Sequence, residues 1–149
     1  MPITLDVDDK FVSDISNSPN RGTIYVNWAD QRNGKANTDI WLKKSTDGGS
    51  TWSSDVKVNA DNSERHQFLS WMTVDQSTGY LYVVYYDRRE HEDKKTDVYL
   101  SVSKDGGVSF KDYKISEYYK IIARLLPWKC KWRYDNSKPE GMKLSLIHI

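Results

Sequence analysis

Two short acid and arginine runs are the first residues in this sequence that can do chemistry: Asp30-Gln31-Arg32 and Asp87-Arg88-Arg89. A guanidinium presents a planar fork of donors that matches a carboxylate or phosphate, so Arg32, Arg88 and Arg89 are candidate contacts for an anionic ligand. Asp30 and Asp87 are their candidate acidic neighbours. The same spacing lets each arginine fold back on its own aspartate and tie down a loop, and recurrence at equivalent places favours that scaffolding role. Tyr85 and Tyr86 stand just ahead of the second run. A tyrosine works as a nucleophile only where a partner lowers its pKa, and none is identifiable here. Arg65 and His66 form a further polar pair. Glu90-His91-Glu92-Asp93 has the residue types of a metal site, yet Lys94 and Lys95 follow at once and no glycine fixes a coordination turn, so it reads as a solvated loop. Asp6-Val7-Asp8-Asp9 is equally ambiguous. No metal and no cofactor is assigned.

The elements that would position these residues are written by composition and repetition. The 149-residue chain is long enough for a sizeable core and is rich in Tyr and Trp, with Asp, Asn, Ser, Thr and Gly between them, which is how short strands and tight turns are spelled. The formal net charge is +1, with both signs interspersed, which argues against a nucleic-acid surface. No apolar run approaches the roughly 20 residues of a membrane span. Met1-Pro2-Ile3-Thr4 lacks the regions of a signal peptide. Cys130 is alone, which excludes an intrachain disulfide and a cysteine-based zinc site.

An internal repeat sets the architecture. Ile24-Tyr25-Val26-Asn27-Trp28-Ala29-Asp30-Gln31-Arg32 recurs as Leu81-Tyr82-Val83-Val84-Tyr85-Tyr86-Asp87-Arg88-Arg89, and Thr38-Asp39-Ile40-Trp41-Leu42 as Thr96-Asp97-Val98-Tyr99-Leu100. Ser45 to Trp52 then recurs as Ser103 to Phe110. The offset is 57 from Asp30 to Asp87 and 58 from Asp47 to Asp105 (87 − 30 and 105 − 47), so the copies differ by one residue in the intervening loop. A unit of roughly 40 to 60 residues with several strands is in the range of propeller blades. Alternation and turn residues predict strands near Phe11 to Ile15, Thr23 to Trp28, Asp39 to Lys44 and Val56 to Asn59, then Leu69 to Val74, Tyr80 to Tyr86, Asp97 to Ser103 and Asp112 to Ile115. The expectation is an all-β chain with two four-stranded antiparallel blades, 1–60 and 61–116, of a truncated β-propeller.

Ser45-Thr46-Asp47-Gly48-Gly49-Ser50-Thr51-Trp52 resembles the Asp-box (BNR) motif Ser-x-Asp-x-Gly-x-Thr-Trp of sialidases and related propellers, and Ser103, Asp105, Gly107, Ser109 and Phe110 form a weaker second copy that departs at Val108 and Phe110. The physics suits a tight hairpin between third and fourth strands: the glycines allow positive φ, Asp47 can accept turn N–H groups, and Trp52 can fold over the turn. The resemblance spans about Phe11 to Ser116. It implies that the boxes are structural and that loops between second and third strands face the ligand end of the propeller. It further implies an extracellular or cell-surface protein acting on terminal sugars of a glycan or glycoconjugate, with the remaining blades of the same propeller as partners. Exo-α-sialidases need arginines for the substrate carboxylate, a tyrosine nucleophile and an acid; two blades supply too little of that set, so this chain alone is expected to be inactive. A non-catalytic Asp-box propeller that binds carbohydrate or protein is the alternative.

After Ser116 the pattern stops. Residues 117–143 carry seven Lys or Arg against three Asp or Glu, with Trp128 and Trp132 among them. Ser116 as N-cap, Tyr118, Ile121, Ile122 and Leu125 at helical spacing and Pro127 as a stop predict a short helix outside the blades. Leu144-Ser145-Leu146-Ile147-His148-Ile149 resembles the conceptual translation of a sequencing-library adapter, so residues 117–149 are expected to be atypical of the natural protein.

Overall fold

In a computed structural model of the chain, residues 10–116 are described. The chain divides into two units, Met1–Ser116 and Glu117–Ile149, and the described residues belong to the first. The acidic run 6–9, the helix expected after Ser116 and the tail 117–149 lie outside the described residues.

The described residues contain eight strands and no helix: β1 (Lys10–Ser13), β2 (Ile24–Asp30), β3 (Asp39–Ser45), β4 (Val56–Lys57), β5 (Gln67–Val74), β6 (Leu81–Asp87), β7 (Asp97–Ser103) and β8 (Lys111–Lys114). Every boundary falls within two residues of the strand expected from the pattern. The strands form two four-stranded sheets ordered β1-β2-β3-β4 and β5-β6-β7-β8, with every neighbouring pair antiparallel. The described part of the chain is therefore all-β. The repeat is preserved residue for residue in the registers: Asp30 faces Asp39 as Asp87 faces Asp97, and Trp28 faces Trp41 as Tyr85 faces Tyr99.

Period-two alternation decides which side chains meet. Along β6, Leu81, Val83, Tyr85 and Asp87 are buried and Tyr82, Val84 and Tyr86 are only partly so. The buried set packs against the first sheet, where Tyr25, Ile40, Leu42 and Val58 point the other way, and Met72, Val74 and Tyr99 complete one core between the sheets. Strand β5 lies against β1, β2 and β3. A β-bulge between Phe68 and Trp71 interrupts its pairing with β6, and Leu69 there holds a φ of 52°, unusual for a branched side chain.

The Asp-box hairpins link β3 to β4 and β7 to β8. In the first, Ser45 Oγ donates to Asp47 Oδ1 at 2.7 Å and accepts from the Gly49 N–H at 2.9 Å. Asp47 in turn accepts from the Thr51 N–H at 2.8 Å and from Thr51 Oγ1 at 2.5 Å. The second repeats this wiring with Ser103, Asp105, Gly107 and Ser109: Ser103 Oγ bonds Asp105 at 2.8 Å, the Gly107 N–H bonds Ser103 Oγ at 2.8 Å, and Asp105 accepts the Ser109 N–H at 3.0 Å. Trp52 lies over its turn, 3.9 Å from where a Gly49 side chain would begin, and Phe110 packs on the core.

These donors have a measurable consequence. Thr51 and Ser45 hold Asp47 down at about 2, against an ordinary 3.8. At Asp105 burial opposes ionisation, but Ser109 and Ser103 outweigh it and bring this carboxyl to about 2 as well. A depressed folded pKa adds stability above the unfolded value, and that stability is lost as pH falls through the folded one. The turns should therefore keep their full stabilisation above about pH 4 and lose it toward pH 2. Carboxyl-carbon NMR titration of Asp47 and Asp105 should give midpoints well below those of free aspartate; midpoints near 4 would mean that the turn hydrogen bonds do not form in solution.

Candidate functional site

The loops joining β2 to β3 and β6 to β7 lie at the end of the sheets opposite the Asp-boxes, and both acid and arginine runs begin there. Asp30 and Arg32 meet directly: Arg32 Nε lies 2.9 Å from Asp30 Oδ1, and Nη2 2.5 Å from Oδ2. Arg32 Nη1 also pairs with Asp55, and the guanidinium sits 4.1 Å above the Trp41 ring. The Trp28 indole N–H donates to Asp30 at 2.9 Å. The second copy is the same device. Arg89 Nε donates to Asp87 at 2.7 Å, Nη2 reaches Asp112 at 2.8 Å and the Tyr85 hydroxyl at 3.2 Å, and the guanidinium lies 4.1 Å over Tyr99. Each clamp joins the end of one strand, the face of the next and the start of the outermost one.

The two copies differ in depth. The Arg32 side chain is 36% exposed, whereas Arg89 is 15% exposed and its partner Asp87 is fully buried. Asp87 is tied further by the side-chain amide of Gln67 at 3.2 Å. Gln67 accepts from Asn59 at 3.2 Å, and Asn59 donates to buried Asp39 at 2.7 Å. A continuous buried polar chain therefore runs from the first sheet to the second. Both arginine clamps are internal ties.

Arg88 behaves differently. Its repeat counterpart is Gln31, not an arginine, because Arg32 corresponds to Arg89 (Arg32 + 57). Gln31 and Arg88 each bond the threonine that precedes the next strand, Thr38 at 3.2 Å and Thr96 at 3.2 Å. The Arg88 guanidinium lies 5.2 Å from the centre of the Phe68 ring, which stacks on Tyr86, and Arg88 makes no ion pair among the described residues. His66 stands beside it: its carbonyl accepts the Arg88 N–H at 3.1 Å and its Nδ1 meets Thr38 Oγ1 at 2.9 Å. Arg65 approaches Glu92 at 3.9 Å. Gln31, Thr38, His66, Thr96 and Arg88 thus form a polar rim across both loops.

The acids of the β6–β7 loop are occupied. Glu90 accepts from Tyr99 at 2.6 Å and pairs with Lys114 at 2.7 Å, and His91 meets Asp97 at 2.8 Å. Asp93 pairs with Lys95 at 3.2 Å. Among the described residues, no group of three or more His, Cys, Asp or Glu side chains is arranged to hold a metal ion. Tyr85 is 1% exposed, and burial, with the Asp112 charge nearby, pushes its hydroxyl upward. A hydroxyl shifted that way is a poor nucleophile. The sequence pattern missed Asp55 and Asp112, although they sit 57 residues apart like Asp30 and Asp87 (112 − 55). It also missed Asn59 and Gln67.

Fold and site together define, among the described residues, an all-β unit of two repeated, internally clamped antiparallel sheets with a half-buried polar rim. No family model matches the chain. A stretch of 36 residues, 24% of the chain, is 56% identical to GDP-L-colitose synthase of Yersinia pseudotuberculosis and covers 12% of that protein. The chain thus matches only a small part of the length of this curated relative, and no family is shown by it.

Proposed function

We propose that the chain is a two-blade piece of a sialidase-like Asp-box propeller acting on terminal sugars of glycans, at the cell surface or outside it, and that these blades serve binding and scaffolding without hydrolysing. The observation that carries this reading is the identical wiring of two Asp-box turns in register with two repeated four-stranded sheets. Retaining hydrolysis needs two opposed groups, one of them a proton donor. The acids of both clamps are paired with arginine, which favours the non-catalytic alternative for these two blades. Among the described residues Arg88 is the one arginine of the three candidates that pairs with no carboxylate, so it is the group to contact an anionic sugar.

Two measurements test this. The chain should give no turnover of a fluorogenic sialoside, and turnover would overturn the division of labour. A sialylated oligosaccharide should bind in saturation-transfer NMR more strongly than its desialylated counterpart, and Arg88→Ala should remove the difference while leaving the melting temperature nearly unchanged. Equal binding of both sugars by the unmodified chain would reject an anion contact, and binding of neither would reject the glycan reading.

A further inference from the structure

The repeat places both halves of one interface on the same chain. Between the sheets, the first contributes Tyr25, Ile40 and Leu42, each fully buried, and the second answers with Leu81, Val83 and Tyr85. Subtracting the repeat offset shows what the outward faces carry. The far face of the second sheet bears Tyr82, Val98 and Leu100 at the positions of Tyr25, Ile40 and Leu42, and all three are only partly buried. The other face of the first sheet bears Ile24, Val26 and Trp28 at the positions of Leu81, Val83 and Tyr85; Val26 is already buried there, Ile24 and Trp28 are only partly buried, and Phe11, paired to Val26, is 45% exposed. Trp71, 64% exposed, adds to the far face next to Val84. The glycines repeat the asymmetry. A side chain at Gly107 would strike Leu42 at 3.0 Å and Tyr25 at 3.4 Å, whereas one at Gly49 would meet only Trp52, at 3.9 Å.

We infer that these two faces dock on each other between copies, so that the chain self-associates head to tail through a repeat of its own inter-sheet interface. The occupant is a second copy because the side chains needed on both sides are already present, in the types that pack inside the molecule. Two different patches meeting in this way form a heterologous contact, which closes into a ring or propagates as a filament. Propellers of about four to eight blades would correspond to about two to four copies per ring. The polar ties of the internal interface are only partly reproduced: Asn27 donates to Ser70 at 2.6 Å, but its counterpart is Val84. The intermolecular contact is accordingly the weaker of the two. Self-docking follows from repeat equivalence and needs no glycan.

The test uses the full chain in analytical ultracentrifugation, with Phe11→Lys on one face and Leu100→Lys on the other. The unmodified chain should sediment above monomer mass in a concentration-dependent way, and each variant should associate no further than a monomer by itself. Mixed one to one they should recover a dimer, because each variant retains the face that the other has lost. Ile24→Lys and Tyr82→Lys serve as replacements if either first choice loses its cooperative melt. A monomeric unmodified chain at about 100 μM, a single-face variant that still self-associates, or a mixture that stays monomeric would each overturn the inference.

Discussion

Arg89→Ala is expected to destabilise the chain by about 3–5 kcal/mol, the usual cost of removing one partner from a buried ion pair. The reason lies in what remains. Asp87 is fully buried and Asp112 is 8% exposed, and without the guanidinium both lose the cation that offsets their burial. What stays with Asp87 is the backbone N–H of residue 89 at 2.6 Å and the Gln67 amide at 3.2 Å, neutral donors that offset only part of the loss. The sequence-equivalent Arg32→Ala should cost only about 1 kcal/mol, since Arg32 is 36% exposed and Asp30 and Asp55 are open enough for water to replace it. Arg89→Lys should recover only part of the loss, because an ammonium cannot satisfy Asp87 and Asp112 with one planar fork. Urea titrations of the three variants read these differences directly. Equal losses for Arg32→Ala and Arg89→Ala would mean that depth of burial does not set the strength of the clamp.

How much of this was legible in the sequence depends on whether a feature repeats. The strands, their order and the two Asp-box hairpins repeat with a nearly fixed offset and were readable. Half of each clamp was readable too, because Asp30-Gln31-Arg32 and Asp87-Arg88-Arg89 are contiguous. The other half, Asp55 and Asp112, lies across the sheet and stands among ordinary turn residues, so only its offset of 57 marks it. A second repeated cluster was hidden by substitution. Asn33 and Lys57 hold Asp39 at 2.7 and 2.9 Å, as His91 and Lys114 hold Asp97 at 2.8 and 2.9 Å. Replacement of an amide by an imidazole made the second copy look like part of a metal-ligand run.

The Asn59 and Gln67 bridge had no periodic signal at all, since it joins one repeat to the next and its parts belong to different units. Arg88 is the opposite case. It looks like part of a recurring pair, but alignment of Arg32 with Arg89 leaves it opposite Gln31, and the structure gives it an aromatic neighbour in place of an acid. Recurrence marks the clamps in this chain, and departure from recurrence sets Arg88 apart from them.

The same contrast predicts the second large effect. Leu42 is fully buried between the sheets, close to the Gly107 turn, with Tyr25 and Leu81 around it. Leu42→Ala removes its packing where β3 and the second Asp-box turn are both pinned by the register, so the site cannot collapse freely and a cost of about 2–5 kcal/mol is expected. Lys44, two residues along the same strand, donates to the Gly106 carbonyl at 2.7 Å and holds that turn in place. Leu100 has the same type and the same position in the repeat, but faces outward and is only partly buried. Leu100→Ala should therefore cost about 1 kcal/mol or less in a dilute monomer, in proportion to the smaller apolar area it hides from water. Chemical denaturation at low micromolar concentration compares the two. If Leu100→Ala proves as damaging as Leu42→Ala under those conditions, its face is already covered within one molecule. If the gap is present at low concentration and narrows as concentration rises, the face is being covered by another copy.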